Sequence, residues 1–239
     1  MAELWHALVG GMTSLMNMLY HLTLTLGIGS YGLAIILLTI IIKLVLYPLS
    51  LKQMKSMTMM QKLAPKIKEI QDKYKGKDPQ KMQQKIMELY KEHNVNPAAG
   101  CLPLLIQMPI LIALYRALLG FKYADPEHAS FLWIGNLSNV YHLNQFMSNP
   151  TVVLIPLLAG LTTYFQTRMT TNSQDQTQKM MLYTMPVFIA WITTTVPAGL
   201  GVYWVTFNLM GIIQQYFVNK HTLAMKEALT EGADNRKNR

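Results

Sequence analysis

The chain has 239 residues, 51% of them hydrophobic and 14% charged, with a net charge of +9. Soluble domains carry nearer a quarter charged residues, so this deficit points to lipid as the solvent. One cysteine, Cys101, excludes an internal disulfide framework and a thiolate metal cluster, and the six histidines show no ligand spacing, so neither metal nor cofactor is expected.

Residues 1–28 open the chain with an ambiguous helix. His6, Thr13, Asn17 and His21 recur at helical spacing and leave Leu4, Leu8, Leu15, Leu19 and Leu22 on other faces, which suits an amphipathic helix lying in the extracytoplasmic interface. A sixth span is the competing reading; a cleaved signal is disfavoured because only Glu3 stands where a basic region belongs. "GIGSYG" (Gly27–Gly32) matches a dinucleotide fingerprint, but it follows no strand and leads into an apolar run, so it is set aside. The sequon-like "NLS" at Asn136 is equally uninformative.

Five runs are apolar enough to cross a bilayer, which takes about 20 residues. They fall at residues 29–49, 96–119, 151–168, 180–197 and 199–218, and "PAGLG" joins the last two through a tight turn. Between the first two lies a polar region, residues 50–95. There Met60, Leu63, Ile67, Ile70 and Tyr74 form one helical stripe, "GKDP" interrupts it, and Met82, Ile86 and Leu89 resume it. The spacing predicts an antiparallel helical hairpin standing in water, with Pro65 opening its main first helix; a plain solvated loop is the alternative. Its many methionines suit either a pliable partner surface or contact with the membrane. Residues 120–150 form an extracytoplasmic loop, 169–179 a short cytoplasmic one, and 219–239 a basic tail.

Lysine and arginine bias sets the orientation. Eleven lysines from Lys52 to Lys91 lie in the hairpin region, Arg168 and Lys179 flank the short loop, and Lys220, Lys226, Arg236, Lys237 and Arg239 lie in the tail. Only Arg116 and Lys122 flank the opposite loop. The N-terminus is therefore expected outside and the C-terminus in the cytoplasm.

The remaining cation, Lys43, is inside a span, about six residues before its end and so roughly 9 Å deep at 1.5 Å per residue. A charge at mid-bilayer costs on the order of 3 kcal/mol, which snorkelling reduces. Thr39, Lys43 and Tyr47 nevertheless share one helix face. Thr163, Gln166 and Thr170 form a second polar stripe, and Trp204, Asn208, Gly211 and Gln215 a third. Stripes ending on the same side suggest a hydrated cavity open to the cytoplasm, because lipid offers such groups no hydrogen bonds. Helix packing is the alternative account for any single glutamine or threonine. All twelve acidic residues fall outside the spans, so Lys43 has no internal carboxylate and its anion would arrive with a substrate. No hydrolase or ATPase motif is present, and a non-enzyme is expected.

The stretches Tyr31–Met57, Asn96–Leu118 and Pro197–Tyr216, with "FLWIGNLS" (Phe131–Ser138) and "LIPLLAGLTTYFQ" (Leu154–Gln166), closely resemble the YidC family of bacterial membrane protein insertases, in order and over nearly the whole chain. The resemblance implies an all-α polytopic protein of the bacterial plasma membrane. Five transmembrane helices would surround a polar groove open to cytoplasm and lipid, and the groove would take up the hydrophilic end of a nascent membrane protein. It places the groove cation at Lys43, its hydroxyl neighbour at Thr39, groove lining at Gln166 and Trp204, and substrate-helix contacts at Leu111 and Ile192. Tyr47, Asn208 and Gln215 join this set from the stripes above. Nascent membrane proteins and lipid are the implied partners, with the ribosome and the Sec translocon as further ones and a monomer as the working unit. Bacterial members usually carry arginine where this chain has Lys43, and lysine keeps the charge but loses the planar two-point fork. The large extracytoplasmic domain or lipoprotein signal of many members is missing, which fits a compact member or a trimmed N-terminus. A small-solute transporter using the same cavity is the rival reading, though no inverted repeat is seen; a structural scaffold is the third.

Overall fold

The computed structural model describes residues 2–74, 76–96, 102–119, 123, 125–142, 144–145, 148–171 and 176–237. Among the described residues eight α-helices carry the fold: α1 (Ala2–Thr25), α2 (Tyr31–Val45), α3 (Tyr47–Tyr74), α4 (Pro79–Glu92), α5 (Leu102–Leu119), α6 (Leu154–Thr170), α7 (Gln176–Thr193) and α8 (Ala198–Lys237). Among the described residues there is no β-strand, only isolated bridges such as Val140 to Pro197. Cys101, Lys75, Lys122 and Arg239 lie outside the described residues, as do the side chains of Leu4, Pro103, His221, Lys226, Arg236 and Lys237.

α1 ends where Gly27 takes a left-handed turn (φ 75°), with Ile28 N–H bonded to Thr23 O at 3.0 Å and Gly27 N–H to Leu24 O at 2.9 Å. This pair of bonds is the Schellman arrangement that glycine permits. Met12, Met16, Leu19, Tyr20 and Thr23 form its buried stripe, packed with α2 and α5. Of the apolar leucines read from the sequence, Leu19 joins this stripe and Leu15 is half-buried against it, whereas Leu8 and Leu22 are exposed. Large methionine and tyrosine side chains one register over bury more surface against the bundle.

α2 stops at Val45 and α3 begins at Tyr47, bent 69° from it. Pro48 explains the break: it has no N–H for the Leu44 carbonyl, and its ring clashes with that carbonyl in a continuous helix. The apolar run to Leu49 is thus divided between two helices, and Lys43 stands in the last turn of α2. Pro65 lies inside α3 instead of opening a helix; only one hydrogen bond is lost there, while the apolar stripe continues through it. Asp78 caps α4 by accepting the Lys81 N–H at 3.0 Å, with Pro79 following. α3 and α4 pack together through Leu63, Leu89 and Val95, flanked by Met60, Ile67, Ile70 and Tyr90.

The main core joins α1, α2, α5 and the start of α8 around Tyr31, Ile35, Leu38, Leu114, Leu118 and Tyr203, with Leu137 from the 125–142 segment. That segment also seats α8: Leu137 and Asn139 carbonyls accept the Gly199 and Ala198 N–H groups at 2.8 and 2.9 Å, bonds a helix start cannot make internally. α6 packs between α7 and α8. Taken singly, no helix among the described residues is long and apolar enough to cross a membrane; the bent pair α2–α3 passes together, and Leu105–Leu119 and Lys179–Thr193 are shorter apolar helices.

Candidate functional site

α8 packs against both α2 and α6, and there Lys43, Thr163, Gln166, Trp204, Asn208 and Gly211 of the predicted stripes come together. Lys43 is 4% exposed, and its Nζ sits 3.4 Å from the centroid of the Phe207 ring. The lysine occupies the last turn of α2, where the helix dipole favours a cation. One turn further along α8, Gly211 leaves a space into which the Gln166 amide and the ammonium both press, Nζ lying 3.4 Å from where a Cβ would stand. Any larger residue at 211 would occupy that space.

A chain of polar groups runs on from Gln166. Its amide meets that of Asn208 at 2.5 Å. The threonine hydroxyls decide how these amides are oriented. Thr162 and Thr163 each donate to a carbonyl of their own helix at 2.7 Å, from Leu158 and Ala159, and keep only lone pairs. Asn208 therefore presents Nδ2 to them, at 3.1 and 2.8 Å, and Trp204 Nε1 adds a bond to Thr163 at 3.1 Å. Asn208 Oδ1 then faces Gln166, which must offer its N–H₂ there. We assign the amide accordingly, which leaves Gln166 Oε1 on the Gly211 side, where Lys43 Nζ also lies. Every member of the chain then has a partner of the right kind: ammonium, aromatic face, amide, amide, hydroxyls, helix carbonyls.

Among the described residues the ion pairs are Lys85 with Glu88 (2.6 Å) and Asp125 with His128 (3.8 Å), neither involving Lys43. A cation over an aromatic face gains about 0.5–2 kcal/mol, more when desolvated. The ring and the neutral amide thus offset part of the burial cost without cancelling the charge.

Not every predicted residue joins this cluster. Thr39 is fully buried and donates to the Ile35 carbonyl at 2.6 Å. Gln215 ties α8 to α3 through Thr58 (3.3 Å) and also bonds Asn219 (2.8 Å). Tyr47, beyond the bend, lines a separate cleft of about 710 Å³ between α3 and α8. Leu111 is half-buried against the main core, and Ile192 half-buried in the last turn of α7. Thr170 bonds back to the Gln166 and Thr167 carbonyls. The residues that sequence reasoning missed are Phe207 and Thr162. The signal for Phe207 was its position one turn before Gly211, on the face of Trp204 and Asn208.

A sequence model of the family described as 60Kd inner membrane protein matches residues 23–226. The chain is 41% identical over 206 residues to membrane protein insertase YidC 1 of Halalkalibacterium halodurans, covering 85% of this chain and 75% of that protein. It is 42% identical over 195 residues to membrane protein insertase YidC of Helicobacter pylori strain J99, covering 81% of this chain and 33% of the relative. Among solved structures it resembles an active YidC insertase crystal structure with the first transmembrane domain resolved, at a TM-score of 0.69 and 34% identity, over 89% of this chain and 46% of that one. The chain therefore spans three quarters of one relative and about a third of the other.

Proposed function

The chain belongs to the 60Kd inner membrane protein family, among its YidC-type insertases, and from that premise we propose that it inserts nascent membrane proteins into the bacterial plasma membrane, without covalent chemistry. The observation that carries this is a buried lysine whose described neighbours are an aromatic face and a neutral amide, with no carboxylate paired to it. Such a site holds a positive potential in low dielectric, where an acidic tail is attracted strongly. Five spans are assigned to α2, α5, α6, α7 and the first part of α8, with the α3–α4 hairpin and the basic tail on the cytoplasmic side. At 15 residues α2 reaches only about 22 Å, against roughly 30 Å of hydrocarbon. A bilayer that thins to match shortens the polar segment's path. The segment enters from the cytoplasm past half-buried Gln166, Trp204 and Phe207, lodges at Lys43, and crosses as its apolar neighbour partitions into lipid past Leu111 and Ile192. One copy suffices for this route. The hairpin and tail receive the ribosome, the Sec translocon or both.

The test is site-specific crosslinking from Trp204 to stalled nascent membrane proteins. Crosslinks to the segment that precedes or follows the apolar stretch support the reading; a Trp204 probe that captures none while the protein inserts the same chain would refute it.

A further inference from the structure

The cleft between α3 and α8 is distinct from the Lys43 cluster. Tyr47, Leu51, Lys55, Met59 and Lys62 come from one face of α3, and Ile213, Phe217 and Val218 from one face of α8. Its walls are largely apolar and open: Met59 is 41% exposed, Ile213 51% and Phe217 54%. At about 710 Å³ it falls in the range of ligand pockets rather than of surface dimples. Exposed rings and aliphatic chains over this area are not left to water in a stable protein.

The charge on its rim selects the occupant. Lys55 and Lys62 stand two turns apart on the same face, and both are exposed. Among the described residues no acidic one lines the cleft; in the sequence the first on α3 is Glu69, and on α8 Glu227. With α2 and α8 embedded in a membrane, the 69° bend after α2 would turn α3 toward the plane of the membrane surface, with its apolar residues at acyl-chain level and its lysines at headgroup level. An apolar trough with two cations and no anion along it fits one kind of molecule at a membrane surface. We propose that this cleft is a binding site for an anionic glycerophospholipid, its acyl chain between Met59, Ile213 and Phe217 and its phosphate between Lys55 and Lys62. The site goes beyond the insertase reading and does not depend on it, because it requires only that α2 and α8 be membrane-embedded.

The site would hold α3 against α8 in a lipid-dependent way. Thr58 in its wall already bonds to Asn219 at 3.4 Å and receives the Gln215 amide, so a lipid there bridges the same two helices that these polar bonds join.

The test uses the full chain reconstituted in vesicles of phosphatidylcholine containing brominated phosphatidylglycerol or brominated phosphatidylcholine at equal fraction. Phe217→Trp places a reporter in the cleft, and Ile213→Trp is a second if the first variant is unstable; emission of the parent's own tryptophans is subtracted. Brominated phosphatidylglycerol should quench the added tryptophan with about tenfold higher apparent affinity than brominated phosphatidylcholine, given two lysines near the phosphate. Lys55→Gln with Lys62→Gln should abolish that preference and leave quenching equal. Equal quenching with both lysines present would overturn the proposal, as would a preference that survives their removal. Absence of quenching by either lipid would also overturn it, since a protein segment would then cover the cleft.

Discussion

Gly211→Ala separates the effect of local packing on stability from its effect on function. In a helix, alanine is worth about 0.8–1 kcal/mol more than glycine. At 211, however, the new methyl would take the space of the Gln166 amide and come within 3.4 Å of Lys43 Nζ. The amide is the end of a flexible side chain, so it swings aside rather than forcing the backbone. It then leaves buried Asn208 without its donor, a loss of about 1–3 kcal/mol, and removes the neutral acceptor beside the lysine. The propensity gain offsets part of that loss, and net stability should fall by about 0–2 kcal/mol. Gly10→Ala is the control. Gly10 lies in α1 with nothing near its would-be Cβ, so it should show the propensity gain alone. Thermal unfolding in detergent should place Gly10→Ala above the parent and Gly211→Ala at or slightly below it. Insertion of an acidic-tailed substrate into vesicles should drop severalfold for Gly211→Ala only. If Gly211→Ala matches Gly10→Ala in both stability and insertion, the packing of Gln166 and Lys43 over residue 211 is wrong.

Asn208→Leu should destabilise the protein by about 1–3 kcal/mol, because it removes the group that the Gln166 amide meets and the amide donor to the Thr162 and Thr163 hydroxyls; thermal unfolding reads this directly. In a background with Cys101 replaced, Gln166→Cys should react with a polar maleimide from the cytoplasmic side, whereas Thr39→Cys, fully buried behind it, should react at least tenfold more slowly; equal rates would mean that Thr39 lines an open cavity. Deleting residues 66–91 with a short linker should lower insertion yet leave the bundle folded, since Gln61 keeps its bond to the Met169 carbonyl and Thr58 its contacts with α8. Loss of folding in detergent would instead place the α3–α4 tip in the structural core.

The isolation of Lys43 was legible because it needs only a count: no acidic residue occurs in any apolar run. The polar stripes were legible because polar side chains at i, i+4 stand out against lipid-soluble neighbours. Phe207 was not, since an aromatic residue in an apolar helix looks the same facing lipid or facing a cation; only the approach of α2 to α8 distinguishes them. The absence of a carboxylate therefore suggested a bare charge, whereas the structure sets the Phe207 face over Lys43 and the Gln166 amide close by. Register caused the other errors. "YPL" marks a break at Pro48, but hydropathy carries the run on to Leu49. In α1, Leu19 docks with Met12 and Met16 while Leu8 and Leu22 stay exposed, because the docking face follows from the shape of α2 and α5 rather than from composition. Pro65 misled because proline more often begins a helix than continues one, yet the Met60–Leu63–Ile67 stripe passes through it unbroken.

The central claim is that Lys43 acts by its charge on the substrate's translocated segment. It is tested most directly by the insertion yield of paired substrates, identical but for an acidic or a neutral tail, in vesicles carrying the parent, Lys43→Arg, Lys43→Ala or Lys43→Glu. The account predicts that arginine works nearly as well as lysine. It predicts further that alanine impairs the acidic tail far more than the neutral one, and that glutamate, by repulsion, impairs it most. If Lys43→Ala inserts acidic-tailed substrates as well as the parent does, the charge has no part in the mechanism.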